Sequence, residues 1–515
     1  MDAGTDPVDR RLCLVTGASG YIGGRLVPEL LAAGHRVRVV ARDPGTLRDR
    51  PWISDVEVHR ADASDSGSIR AALAGADVAY YLVHSIGTAR NFEQRDRDTA
   101  WTFAAAARDT GVGRIVYLGG LTPSDEQLSP HLRSRAEVGE ILLGSGVPTA
   151  VLRAAMIIGS GSASFEMLRY LTERLPAMIT PRWVQSRIQP IAIRDVLRYL
   201  VGCARLPPSV HRSFDIGGPD VLTYEQMMHR YAAVAGLHRR LIVRVPVLTP
   251  NLSGHWVNLV TPVPRAIARP LVESLRNTVV CDEHDITAHV PDPPEGLVGF
   301  DRAVLLALNR IRDADVETRW SSTSLPGAPS DPLPTDPGWA GGSLYVDLRE
   351  RTVPASAEAL WRVIEGIGGE NGWYSFPLAW RVRGLLDRVV GGVGLRRGRR
   401  DPRRLYVGES VDFWRVEELV PGELLRLRAE MRLPGLAWLE FSIRTGASAD
   451  ADAAADEVVY RQRALFHPRG LLGHAYWWAV SPFHGVVFGG MTRGIARAAA
   501  APCLPPGQRR VGAGL

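Results

Sequence analysis

The sequence contains no lysine: all 61 of its basic side chains are arginine. A genome that writes its cations with arginine codons is the simplest origin, but the chemical consequence is firm. Arginine stays protonated in proteins, so neither a Schiff base nor a lysine-assisted proton relay is open to this chain. Cysteine is nearly absent too, with Cys13, Cys203, Cys281 and Cys503 far apart and in no CxxC spacing. That excludes a disulfide framework and the usual zinc spacings; no metal is expected, and a reducing cytoplasm is the expected location. The opening MDAGTDPVDRR has neither the basic nor the apolar region of a signal peptide.

One long uncharged run needs separate attention. Residues 470–492, GLLGHAYWWAVSPFHGVVFGGMT, carry no Asp, Glu or Arg and are long enough to cross a bilayer. Pro482, two histidines and several glycines argue against crossing. A buried or cavity-facing helix is the expectation, with membrane contact as the lesser alternative.

What is present is an ordinary globular composition. A chain of 515 residues, 45% hydrophobic and 23% charged, is long enough for several domains. From the start, apolar β-branched runs alternate with amphipathic helical patterns: RLCLVTG, HRVRVVAR, VEVHRAD, ADVAYYLVHS, RIVYLGG and PTAVLRAAMI, with helices between them. This is the signature of a doubly wound α/β domain with a parallel sheet covered on both faces. It is placed at residues 11–313. Pro, Gly, Ser and Asp dominate 314–342, a linker. Residues 343–500 read as strand, helix, a run of antiparallel strands with PG turns, and a closing helix, which is an α+β domain.

TGASGYIGG, residues 16–24, lies between the first strand and the first helix, the context a dinucleotide fingerprint needs. Gly17 and Gly20 allow a tight turn and close approach to a pyrophosphate, and Gly23 allows helix–strand packing. The helix N-terminus, with Ser19, Tyr21 and Ile22, offers N–H groups to the anion. The second strand ends in VVARDP. Arg42 there would pair with the 2′-phosphate of NADP. The alternative is a solvated Arg42 with Asp43 turned inward on the ribose of NAD.

TGASGYIGG, VRVVARDP, HRADASD, YYLVHSIG and SRAEVGEILLGSGVPTAVLRAAMIIG resemble the atypical short-chain dehydrogenase/reductase family, in its NmrA-like and complex I accessory-subunit-like branch. FWRVEELVPGELLRLRAEMRLPGLAWLEF and PRGLLGHAYWW resemble the DUF2867 domain of the START-like (SRPBCC, helix-grip) group. The resemblance implies that Asp62 and Ala63 lie near the adenine, and that Val83 and His84 lie along the ribose and nicotinamide. Catalytic members of the family place a serine after the fifth strand and a Tyr-x-x-x-Lys on the next helix. Here Gly119 and Gly120 follow the strand, His131 stands at the tyrosine position and Arg135 at the lysine position. Arg135 can hold a ribose or phosphate. His84 and His131 are weak candidates for proton transfer; a histidine at a helix start, such as His131, is first a surface or capping residue.

Other constellations are weaker. RRGRRDPRR, 396–404, lacks interleaved aromatics and reads first as a solvated loop or a partner of nearby Glu residues, then as a site for an anionic ligand or lipid headgroup, ahead of nucleic acid. The aromatics Trp373, Tyr374, Phe376, Trp380, Phe413, Trp414, Trp438, Tyr476, Trp477 and Trp478 read as core first and as the lining of an apolar ligand cavity second. Trp256, Asn258, Arg265 and Arg269 fall where this fold builds its substrate side. The leading expectation is an NADP-dependent oxidoreductase or isomerase acting on an apolar small molecule presented by the second domain. The alternative is a non-catalytic NAD(P)-binding sensor or assembly factor, with a pure hydrophobic-ligand carrier behind both.

Overall fold

The computed structural model describes residues 10–48, 50–84, 92–123, 128–245, 261, 263–274, 277–314, 343–375, 404–445 and 458–501. The linker at 315–342, the arginine run 396–403, the Ala/Asp tract 447–457, and Trp256, Asn258, Phe376 and Trp380 lie outside those residues, as do the side chains of Arg265 and Arg269. The chain divides into two compact units, 1–342 and 343–515.

In the first unit, seven strands form one parallel sheet. They are β1 (Leu12–Thr16), β2 (Arg36–Ala41), β3 (Glu57–Arg60), β4 (Val78–Tyr81), β5 (Arg114–Gly120), β6 (Thr149–Ala154) and a last strand, Arg212–Ile216. Their spatial order is last strand, β6, β5, β4, β1, β2, β3. Every residue of β1 and β4 is buried, as expected of strands covered on both faces. Helices α1 (Tyr21–Ala32), α2 (Ser66–Leu73), α3 (Phe92–Asp109) and α4 (Pro130–Leu143) make the crossovers. Two separate cores result. One packs Val15, Leu26, Val39 and Tyr80 with Leu197 and Phe214; the other packs Leu14, Ile69, Tyr81, Phe103 and Leu142.

Chain order reverses between β1 and β4, which pair side by side with Val15 opposite Tyr80. In open α/β sheets the crevice outside the carboxyl ends of the strands at such a reversal is where ligands bind.

The second unit is a six-stranded antiparallel sheet in the order Tyr345–Val353, Val458–Pro468, Gly435–Thr445, Leu424–Ala429, Trp414–Val420, Ser410–Val411. The 31-residue helix Gly470–Ala500 and the short helix Ala357–Glu365 pack on it. Trp373, Phe413 and Trp414 are buried together, with Trp373 and Phe413 stacked at 6.0 Å. Trp373 Nε1 donates to Asp412 at 2.8 Å, and Asp412 itself sits at a left-handed φ of 55°. Most of the aromatic set is therefore packed against other side chains.

One expectation needs correction here. The helix over 470–492 was expected to be buried; its amino-terminal half is instead largely exposed on one side, with Leu472 at 77% and Trp478 at 67%. The sheet covers only one of its faces, and apolar side chains occupy the uncovered one. No helix among the described residues is long and apolar enough to cross a membrane.

Across the sheet, Arg426 is wholly buried between Glu418 and Glu440, donating to Glu440 at 2.8 Å, and Arg463 joins Glu440 at 2.5 Å. Removing one member of such a group leaves the others charged and unpaired in a poorly solvated place, which costs about 3–5 kcal/mol. Arg426→Ala is expected to lower the unfolding free energy of this unit by that amount, whereas Arg362→Ala, at an exposed i,i+4 pair with Glu358, should change it by less than about 1 kcal/mol. Urea unfolding followed by tryptophan fluorescence reads both.

Candidate functional site

The glycine loop sits where β1 and β4 come together. Gly17 adopts φ +69°, and a Cβ there would stand 2.6 Å from the Leu82 carbonyl oxygen, so only glycine fits. A Cβ on Gly23 would stand 2.3 Å from the Gly17 carbonyl oxygen, which lets α1 lie directly on the loop. Thr16 fastens the two strand ends: its hydroxyl donates to the Tyr80 carbonyl at 2.9 Å and accepts from the Leu82 N–H at 3.0 Å. α1 begins at Gly20 with no side-chain cap and no acidic residue in its first turn. Its leading N–H groups and the positive end of its dipole are thus left for an anion, and the cradle fits a pyrophosphate.

Two buried guanidiniums stiffen the loop from behind. Arg50 donates to the Ser19 carbonyl at 2.7 Å, and Arg25 donates to the carbonyls of Tyr21 at 3.2 Å and Ser160 at 3.3 Å while lying 4.2 Å over the Tyr21 ring. Both add positive potential where a diphosphate would sit.

A cavity of about 270 Å³ opens beside the loop. Its walls come from the glycine loop, the ends of β4, β5 and β6, and the start of α4. Ser129 caps α4 by accepting from the Leu132 N–H at 3.3 Å, with Pro130 in the first helical turn. This start aims His131 and Arg135 at the cavity. Arg135 donates to the Leu118 carbonyl at 3.0 Å, which holds its guanidinium against the end of β5.

No serine stands at the end of β5, where Gly119 and Gly120 lie, and the space is used otherwise. A Cβ on Gly119 would meet the Tyr117 ring at 3.1 Å, and one on Gly120 would meet Leu132 at 3.2 Å.

His131 is 9% exposed, and its pKa is pushed down to about 3, first by loss of water and then by the Arg135 charge and His84. The same two leading causes, burial and Arg135, lower the pKa of His84. Protein surrounds that ring on most sides, yet it is exposed to cleft water, so its loss of hydration is only partial. Near neutral pH both imidazoles are uncharged and Arg135 carries the positive charge.

Gly17, Gly20, Tyr21, Ile22, Gly23, Val83, His84, His131 and Arg135 all line the cavity; Ser19, Arg42, Asp62 and Ala63 do not. Arg42 is exposed at the end of β2, close enough to Asp62 to lower its pKa, although the hydrogen bond from the Ser64 N–H lowers it more. Asp43 accepts from the Gly45 N–H at 2.9 Å and caps its own turn.

Sequence reading missed the far wall: Leu121, Met156, Ile188, Tyr224, Leu271 and Val279, with the hydroxyls of Ser162, Ser164 and Ser274. Loops after strand ends in a doubly wound sheet signal the region around Met156 to Ser164. Nothing local in the sequence signals Tyr224 or Val279. The segment picked for the substrate side does contribute, but through Leu271 and Ser274, and Ser274 meets Ser129 at 3.0 Å. Among the described residues no group of three or more His, Cys, Asp or Glu could hold a metal ion.

The geometry defines a dinucleotide-binding Rossmann unit with a half-apolar pocket beside the glycine loop. Comparison with known proteins agrees: a family described as NAD(P)H-binding matches residues 17–157, and DUF2867, a family of unknown function, matches 339–491. Ceramide reductase of Caulobacter vibrioides is 31% identical over 262 residues, covering 48% of this chain and 80% of that protein. The mitochondrial NADH dehydrogenase (ubiquinone) 1 alpha subcomplex subunit 9 of Arabidopsis thaliana is 25% identical over 232 residues, covering 44% of this chain and 58% of that subunit. Among solved structures, the Citrobacter sp. triphenylmethane reductase complexed with NADP(H) superimposes with a TM-score of 0.46 at 19% identity, covering 57% of this chain and 99% of that one. The chain belongs to the NAD(P)-binding NmrA-like short-chain dehydrogenase/reductase family and carries a DUF2867 domain later in its sequence.

The neutral His131 has a measurable consequence. Its imidazole takes up a proton near 6.5 when water-exposed but near about 3 in the fold. Between these values the unfolded chain binds more protons, so stability falls as pH drops through that window. His131→Gln should flatten that part of the stability–pH curve and leave the curve above pH 7 nearly unchanged, as followed by thermal melts across buffers.

Proposed function

We propose that this protein is an NADP-dependent oxidoreductase that reduces a carbonyl or conjugated group on an apolar small molecule. The observation that carries the proposal is one cavity shared by the cofactor loop, the His84–His131–Arg135 cluster and an apolar wall with three hydroxyls. The name of the Caulobacter relative, ceramide reductase, supports a lipid-like substrate. The second domain, read as START-like, is the candidate to present it.

The residues divide the work. The N–H groups at the start of α1 take the pyrophosphate, and Arg42 takes the 2′-phosphate because Asp43, the acid that would favour NAD, is engaged in its own turn. Arg135, fixed by Leu118, reaches ribose hydroxyls. The bound nicotinamide would supply a hydride to the substrate carbon. A neutral His131 donates a hydrogen bond to the substrate oxygen, as an electrophile rather than as a charged acid. The proton that completes the alcohol comes from water, reached through the exposed side of His84. A tyrosine–lysine relay has no part in this scheme.

A non-catalytic sensor is the second reading, favoured by the absence of that pair. Titration with NADPH and NADH, followed by incubation of the NADPH complex with long-chain ketones, enones, aldehydes and quinones, separates the two. Loss of reduced-nicotinamide absorbance that depends on substrate supports the enzyme; tight binding without oxidation across the panel supports the sensor.

Arg42→Ala should weaken NADPH binding by about tenfold to a hundredfold, the worth of a charged hydrogen-bonded contact, and leave NADH binding unchanged. Loss of both affinities together would remove Arg42 from the 2′-phosphate role.

A further inference from the structure

The helix Gly470–Ala500 is turned inside out. Its polar side chains in the first half face the sheet: His474 meets the Tyr345 hydroxyl at 2.9 Å, and His484 lies 3.6 Å from Asp347 and edge-on to the buried Trp477. The opposite face presents Leu471, Leu472, Trp478, Phe483 and Val486, which are 55% to 77% exposed. With Ala475, Ala479 and Pro482, also exposed, these positions recur at helical spacing and make one continuous apolar stripe. Soluble domains seldom leave so long a contiguous apolar strip open to water.

Charge sets the kind of partner. The stripe contains no acidic residue, and exposed arginines stand at its ends: Arg469 at the N-cap, and Arg493 and Arg497 further along the same face. The formal charge of +6 lies wholly in residues 343–515, where arginines outnumber acidic residues by six, while 1–342 are balanced. An apolar stripe with an indole and flanking guanidiniums complements an anionic lipid surface: the stripe enters the acyl boundary, the indole settles at headgroup depth, and the cations meet phosphates. No helix among the described residues is long and apolar enough to cross a membrane, so a docked helix would lie in the interface plane.

We propose that the exposed face of the helix Gly470–Ala500 docks this protein on anionic lipid membranes. This inference does not depend on the oxidoreductase reading.

The test is flotation of the full-length protein with vesicles of phosphatidylcholine alone and of phosphatidylcholine with phosphatidylglycerol. The protein should float with the anionic vesicles, more weakly at high salt and weakly with the neutral ones. The double variant Leu472→Glu, Phe483→Glu should lower vesicle affinity by on the order of a hundredfold, since two apolar anchors are lost and two like charges are added. Both sites are exposed, so melting temperature and NADPH affinity should not move, which separates this outcome from misfolding. Absence of flotation with either composition overturns the proposal, as does flotation indifferent to the double variant. A concentration-dependent dimer in light scattering that the variant abolishes, without lipid binding, assigns the stripe to a second copy instead and equally overturns it.

Discussion

The close approach of two strand ends governs the first unit. Thr16 bridges Tyr80 and Leu82, and Gly17 turns within contact distance of the Leu82 carbonyl. If β1 and β4 stood further apart there, the first turn of α1 would point elsewhere and the His84 end of β4 would leave the cavity. A side chain at position 17 would force that separation, and one at position 23 would lift α1 off the loop. The glycines matter less as flexible points than as places where backbone must touch backbone. Arg50 and Arg25 complete the constraint, because Arg50 donates to the Ser19 carbonyl and Arg25 to that of Tyr21, which fixes the loop without a rigid side chain in the loop itself.

The absence of lysine shapes the chemistry more than any residue that is present. A guanidinium at position 135 is a permanent cation, and its field helps hold both neighbouring imidazoles neutral. Replacing a lysine by arginine at this position thus does more than change a donor: it switches the local acid–base chemistry from a titrating relay to fixed positive charge with neutral donors around it. Such a site can orient a carbonyl and stabilise growing negative charge on its oxygen, but it cannot store a proton on the protein near neutral pH. Access of water beside His84 is then a requirement of any reduction carried out here.

Much of this architecture is legible in the sequence because it rests on local signals. The alternation of β-branched runs and helices, the glycine spacing and the Arg42–Asp43 pair are all short-range. So is the cap at Ser129, which places His131 and Arg135 together on one helical turn. What was not legible depends on distant segments. Tyr224, Leu271 and Val279 reach the cavity from elements far along the chain, and no window of sequence encodes their convergence. The low pKa of His131 is also a tertiary product, since from sequence alone a histidine near a helix start reads as a titrating surface residue.

The helix Gly470–Ala500 failed expectation for an instructive reason. Composition alone makes a segment without charges look buried, because an apolar helix ordinarily has apolar neighbours on all sides. Only the placement of its two histidines betrays the orientation: His474 and His484 lie ten residues apart, within one broad side of the helix, and that side faces the sheet, where Tyr345 and Asp347 meet them. A helix that spends its polar groups on internal contacts and turns indole, phenyl and isobutyl groups outward is stabilised by something other than water. In a unit whose surplus charge is entirely positive, that something is best matched by a surface that is apolar within and negative at its rim.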